Sequence, residues 1–227
     1  MRKSEVLSQK TFEGLLEGAA VLEQDERGIK VLRLSNDEIL KVFRVRNQFS
    51  IARIYSYARK FCRNAERLGK KGIPTVQVTK LLHLENPAIT AVRYMPLAGK
   101  TLREITKVRM LTLAESRRLG EFIAELHQKG VHFRSLHLGN IVLGDDGALG
   151  LIDVADMRIY PWSLWCNTRA RSFSHLHRYP DQVHALGYET WQIIERTYFE
   201  NADIGEACRR HLHQHLHKIS VFAQGSL

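Results

Sequence analysis

"HFRSLHLGNIVLGDDGALGLIDVADMR", residues 132–158, decides how the rest of the chain is read. It runs as a turn, a short apolar strand over Ile141 to Leu143, an Asp-Gly turn at Asp146–Gly147 and a second apolar strand. An aspartate, Asp153, follows immediately. Two apolar runs separated by a turn rich in Asp and Gly predict a β-hairpin, because Gly adopts the positive φ such turns need. Asp145, Asp146 and Gly147 are therefore structural. Asn140 and Asp153 bracket the hairpin with oxygen-bearing side chains.

Upstream, the segment from Ala19 to Phe43 alternates and turns. "AAVLEQ", "IKVLRL" and "EILKVF" predict three antiparallel strands, separated by "DERG" and "SND". A helix-like start, "TFEGLLEGA", precedes them. From Phe49 to Lys71 the period changes: Ile51, Ile54, Ala58, Phe61, Ala65 and Leu68 recur at spacings of three and four, one face of a helix. Arg53, Arg59, Lys60, Arg63, Arg67 and Lys70 mostly take its other faces, and "GIP" ends it. "TVQVTKLLHL" and "AITAVRYM" predict two more strands. "PLAGKTL" reads as a linker, and helices follow over Leu102 to Met110 and Thr112 to Gln128. The second carries Leu119, Phe122, Ile123 and Leu126 as its apolar stripe and closes at Gly130. Residues 157–227 are aromatic-rich and helical towards their end. Strands followed by helices give an α+β chain in two lobes, 1–95 and 96–227: an antiparallel five-stranded N-lobe with one helix, then a mostly helical C-lobe.

Composition limits the function classes. The 227 residues are 44% hydrophobic and 26% charged, with no long low-complexity tract, enough to bury a core and too ordered for a disordered chain. No stretch has the length of a membrane-spanning helix or a signal peptide's apolar region. Cys62, Cys166 and Cys208 are scattered, so the expected compartment is a reducing cytoplasm. The net charge of +10 attracts polyanions of any kind. Nucleic acid is disfavoured as a partner, since no interleaved basic–aromatic binding module appears.

Lys41 lies inside the apolar third strand, where an unpaired ammonium is costly. It either points outward or holds a negative group. This order of elements resembles the protein-kinase-like superfamily, and within it the short lipopolysaccharide core kinases of the Kdo/WaaP type, close to the bacterial toluene tolerance proteins. The resemblance spans Ala19 to about Arg158. It implies that Lys41 holds nucleotide phosphates, that Tyr94 and Met95 of "YMPLAG" form the adenine hinge, and that Arg134 and Asn140 of "FRSLHLGN" belong to the catalytic loop. Asn140 and Asp153 then hold magnesium, and ATP is the phosphoryl donor. The implied acceptor is a lipopolysaccharide core oligosaccharide or lipid-linked precursor, handled in the cytoplasm or at an anionic surface on the inner face of the inner membrane.

The departures matter as much. Phe133 stands where the loop has histidine, and Ser135 replaces the aspartate that accepts the acceptor's proton. Only Gly28 remains of a glycine-rich phosphate loop. The helix glutamate that pairs with the strand lysine should fall near Phe61, while the helix's only acid is Glu66. The reading is therefore an ATP-dependent phosphotransferase without its usual aspartate, or an inactive scaffold that keeps the fold. His132 or His137 could replace the missing base, or could simply bond the backbone. Asp156 reads as a second carboxylate or a helix N-cap. "HLHQHLH" puts His211 and His215 on one helical face and His213 and His217 on another, but no completing ligand supports zinc.

Overall fold

The computed structural model describes residues 5–26, 28–44, 57–86 and 88–222. They form an α+β molecule that divides into two units. One comprises Met1–Leu97 with Asp153–Asp156, the other Ala98–Ile152 with Met157–Leu227.

In the first unit, β1 (Glu5–Leu7), β2 (Ala20–Asp25), β3 (Gly28–Arg33), β4 (Ile39–Arg44), β5 (Gln77–Leu84) and β6 (Ile89–Met95) build one sheet in the order β1-β5-β6-β4-β3-β2. The expectation of five antiparallel strands is corrected. The sheet has six, and β1 runs parallel to β5, Val6 opposite His83. With three residues, one of them an exposed valine, β1 carries almost no sequence signal. Helix α1 (Gln9–Leu16) also makes two helices rather than one in this unit.

Side chains alternate across a strand, and β4 shows it. Leu40 and Val42 join Leu7, Leu32, Leu82 and Ala91 in a core on which Phe12 and Leu15 of α1 pack. Lys41 and Phe43 take the opposite parity, and Phe43 meets Phe61 of α2 (Tyr57–Lys70). The α2 stripe appears as expected, with Ala58, Phe61, Ala65 and Leu68 buried. The expected first turns, with Phe49, Ile51, Arg53 and Ile54, lie outside the described residues.

The second unit contains α3 (Leu102–Thr106), α4 (Leu113–Gln128), β8 (Val131–Phe133), β9 (Ile141–Leu143), β10 (Leu149–Leu151), β11 (Met157–Ile159) and helices α5 (Cys166–Leu176), α6 (Pro180–Leu186), α7 (Tyr188–Asn201) and α8 (Glu206–Ile219). "PLAGKTL" is more than a linker: Lys100–Thr101 is a short strand, β7, antiparallel to β9. The helix expected over 102–110 ends at Thr106. Arg109 instead bonds both carboxylate oxygens of Glu115. Thr112 is extended to cap α4, with Thr112 and Glu115 each bonding the other's backbone amide. The hairpin forms as read, Leu149 opposite Leu143 and Leu151 opposite Ile141.

Two further expectations change. Asp156 caps no helix; it lies in the turn that enters β11. The cysteines are not all unpaired either: Cys166 and Cys208, 42 positions apart, form a disulfide between the starts of α5 and α8. That pairing has no spacing signature in the sequence, and with it the cysteine argument for a reducing compartment is lost. Among the described residues no helix is long and apolar enough to cross a membrane.

Candidate active site

In the first unit, Lys41 Nζ donates to Asp153 Oδ1 at 2.6 Å, joining residues 112 positions apart. The lysine side chain is largely buried, 17% exposed, while Asp153 is 47% exposed. Strand parity explains the lysine's direction, on the α2 side of the sheet with Phe43, whose ring lies 5.9 Å away. An ammonium half withdrawn from water needs such a counter-charge.

The helix position expected to supply a glutamate holds Phe61 instead. It is fully buried, with its ring 6.1 Å from Phe43 and 5.2 Å from Tyr94. Glu66 pairs with Lys70 one turn on and takes no part. Asp153 therefore stands in as the carboxylate partner of Lys41.

Asp153 has a φ of +52°, the left-handed region, which costs a non-glycine residue about 1 kcal/mol. The backbone beyond it is held in place. Asn64 Nδ2 donates to Val154 O at 2.8 Å and to Ala155 O at 3.4 Å. Asn64 is buried, one turn along α2 from Phe61. Sequence reasoning missed it, though a lone amide beside the apolar stripe of Phe61, Ala65 and Leu68 was a visible signal.

Tyr94 and Met95 end β6. Met95 is exposed, while Tyr94 is half-buried, and burial first, then the charge of Asp153, pushes its hydroxyl pKa up. Gly28 opens β3 with a φ of +102° opposite Asp25, closing a two-strand turn.

In the second unit, Arg134 and Ser135 form the turn after β8, and Leu138–Asn140 is one turn of 3₁₀ helix. Asn140 is buried, and its Nδ2 donates to Ser135 O at 2.9 Å. That bond fixes the orientation of the amide. The Asn140 carbonyl in turn accepts from Ile152 N at 3.1 Å. His137 Nδ1 accepts from Gly139 N at 3.1 Å, and its ring lies 4.4 Å from that of Tyr179. In the neutral ring this leaves the proton on Nε2, a donor. His132 packs against His175 at 5.4 Å between ring centroids. Its buried Nε2 has no hydrogen-bond partner among the described residues. Burial, then the nearby His175, Arg134, Arg158 and Arg171, lowers its pKa to about 4, so it is neutral at pH 7.

On α8, His211 and His215 stack, while His213 lies on Phe199 and 3.4 Å from Glu195. Among the described residues no group of three or more metal-binding side chains gathers.

No family model matches the chain, and no curated protein matches it. Among solved structures it is similar to the bifunctional kinase-methyltransferase WbdD. The identity is 13% and the TM-score 0.46, over 81% of this chain and 46% of that one. The chain thus spans less than half the length of that protein.

Proposed function

We propose that the protein is an ATP-dependent phosphotransferase acting on a hydroxyl of a lipopolysaccharide core sugar or its lipid-linked precursor. The observation that carries the reading is the Lys41–Asp153 pair. A strand lysine and an aspartate held at positive φ meet with the carboxylate half exposed. The substrate class comes from the resemblance to the lipopolysaccharide core kinases alone.

The resemblance assigns Asn140 and Asp153 to magnesium, and their carboxamide and carboxylate oxygens are the hard donors that magnesium prefers. A bound magnesium ion would supply charge neutralisation for the phosphates of ATP. Lys41 adds a positive charge to the same phosphates, and Tyr94 and Met95 offer the strand end that receives adenine. In the reaction the acceptor oxygen bonds to the γ-phosphorus as the bond to the β,γ-bridging oxygen breaks, and ADP leaves. The acceptor's proton passes to a phosphoryl oxygen or to water. In a loose transition state, alignment and charge count for more than a base, and losing the base costs about 10²–10⁴-fold.

Transfer of γ-labelled phosphate from Mg-ATP to dephosphorylated core lipopolysaccharide, compared with Asp153→Ala, tests the proposal. Label that appears with the native protein and vanishes in the variant supports it.

One observation favours the second reading, an inactive scaffold that binds nucleotide. Ser135 occupies the carboxylate's place, and the nearest imidazole, His137, has its Nδ1 already accepting from Gly139. Under that reading Mg-ATP binds, Lys41→Ala weakens it, and no label is transferred.

A further inference from the structure

The loop Tyr160–Trp165 presents two indoles to solvent without being loose itself. Trp162 is 55% exposed and Trp165 76% exposed. Yet Tyr160 N donates to Gly130 O and Leu164 N to His127 O, each at 2.8 Å, tying the loop to the end of α4. Leu164 is buried as its anchor. From the other side the buried Arg169 reaches Leu164 O through Nε at 2.9 Å and Ser163 Oγ through Nη2 at 2.7 Å. Gly130 is a glycine for this loop's sake: its φ is +74°, and a Cβ there would lie 2.3 Å from Trp162 O. Two large aromatics are thus held in water by a braced backbone, so ordering them against a partner costs little further entropy.

Along the chain on either side of the loop the charge is of one sign. Between Asp156 and Asp181 the chain has four arginines and no acidic residue. Arg169 is buried. Arg158, Arg171 and Arg178 are exposed, and none of them has a carboxylate partner among the described residues.

We infer that the Tyr160–Trp165 loop, with the exposed arginines Arg158, Arg171 and Arg178, docks the protein on an anionic lipid bilayer. Indoles settle at the headgroup level, with the ring among acyl carbons and the N–H in the wet layer. Basic residues within a Debye length, about 10 Å, add attraction to anionic headgroups. A second copy of the chain fits less well. A two-fold contact through this loop would bring identical arginine clusters together, and like charges repel. The inference stands apart from the phosphotransferase reading, since neither needs the other.

The third tryptophan, Trp191, is buried, with 3% exposure, so a change in indole emission on adding vesicles reports on the loop. The full chain is mixed with phosphatidylglycerol–phosphatidylcholine vesicles and with pure phosphatidylcholine vesicles. Co-sedimentation and tryptophan emission are then read at low and high salt. The expected result is sedimentation and a blue shift with the anionic vesicles only, both reduced by salt. The Trp162→Ala/Trp165→Ala variant should partition about tenfold more weakly, and Arg171→Glu/Arg178→Glu should lose its preference for phosphatidylglycerol. Circular dichroism melting confirms that both variants remain folded, as their exposed positions lead one to expect. Unchanged partition in the tryptophan variant, no blue shift, or equal binding to neutral vesicles overturns the inference. So does a lipid-free dimer in sedimentation velocity that the tryptophan variant abolishes.

Discussion

Two of the ion pairs on the sheet of the first unit, Arg93–Glu38 and Lys41–Asp153, are built to different ends. Glu38, buried, accepts from Thr79 Oγ1 at 2.5 Å, from Asn36 Nδ2 at 2.9 Å and from Arg93 Nη2. Both of its oxygens are used. Asp153 is half exposed and accepts from Lys41 on one oxygen. Its backbone strain is offset by Asn64 rather than by further bonds to the carboxylate. A saturated carboxylate locks strands together, whereas an unsaturated one, fixed in place but open, is kept ready for something else.

The largest expected effect breaks or makes that contrast. Asp153→Ala should lower phosphate transfer from Mg-ATP by about 10³-fold or more. Because it leaves the largely buried Lys41 ammonium without its counter-charge, it should also cost about 1–3 kcal/mol of unfolding free energy. A variant that unfolds instead of losing transfer would make Asp153 a structural residue like Glu38. Glu38→Ala should do the reverse. It strands Arg93 beside the sheet and costs about 3 kcal/mol in urea unfolding, with Mg-ATP affinity unchanged.

Acid separates the Glu38 cluster from the buried imidazole of His132. Burial opposes the Glu38 charge, but its bonds to Thr79, Asn36 and Arg93 win, so its pKa is lowered. Its stabilisation is complete above the unfolded value of 4.5 and is lost as pH falls through the folded one. His132 is lowered from 6.5 to about 4. Its neutral form is favoured by folding, so stability is full above pH 6.5 and falls between there and 4. The loss is at most about 3 kcal/mol. Thermal melts from pH 7 to 4.5 should show that decline in the native protein and a flatter profile in His132→Gln.

Asn64→Ala tests what keeps Asp153 open. Removing a buried donor to two carbonyls should cost about 1–2 kcal/mol and weaken Mg-ATP binding, measured by calorimetry. Thr79→Val is the smallest change, about 1 kcal/mol from one bond to Glu38, with no effect on nucleotide binding.

Much of this was legible beforehand where periodicity is strong. The α4 stripe of Leu119, Phe122, Ile123 and Leu126 with its Thr112 cap, the Asp146–Gly147 hairpin and the strand position of Lys41 all follow from local rules. Contacts between distant residues do not announce themselves. Nothing near Lys41 in the chain marks Asp153 as its partner, since the helix glutamate expected there is replaced by Phe61. The Cys166–Cys208 bridge and the parallel pairing of β1 are equally non-local. The packing of His132 against His175 depends on how α5 meets β8, which no spacing encodes.

The four residues Asp153–Asp156 belong to the first unit although the chain on both sides of them belongs to the second. A gene fragment ending at Leu97 would therefore encode a domain with a missing piece. Lys41 would lose its counter-ion, and Asn64 would lose its bonds to Val154 O and Ala155 O. Such a fragment should be a poor folder on its own, rescued by a short peptide spanning residues 150–158. The chain's two units are thus a single inheritance: recombination at the apparent boundary would break the folding of the first one.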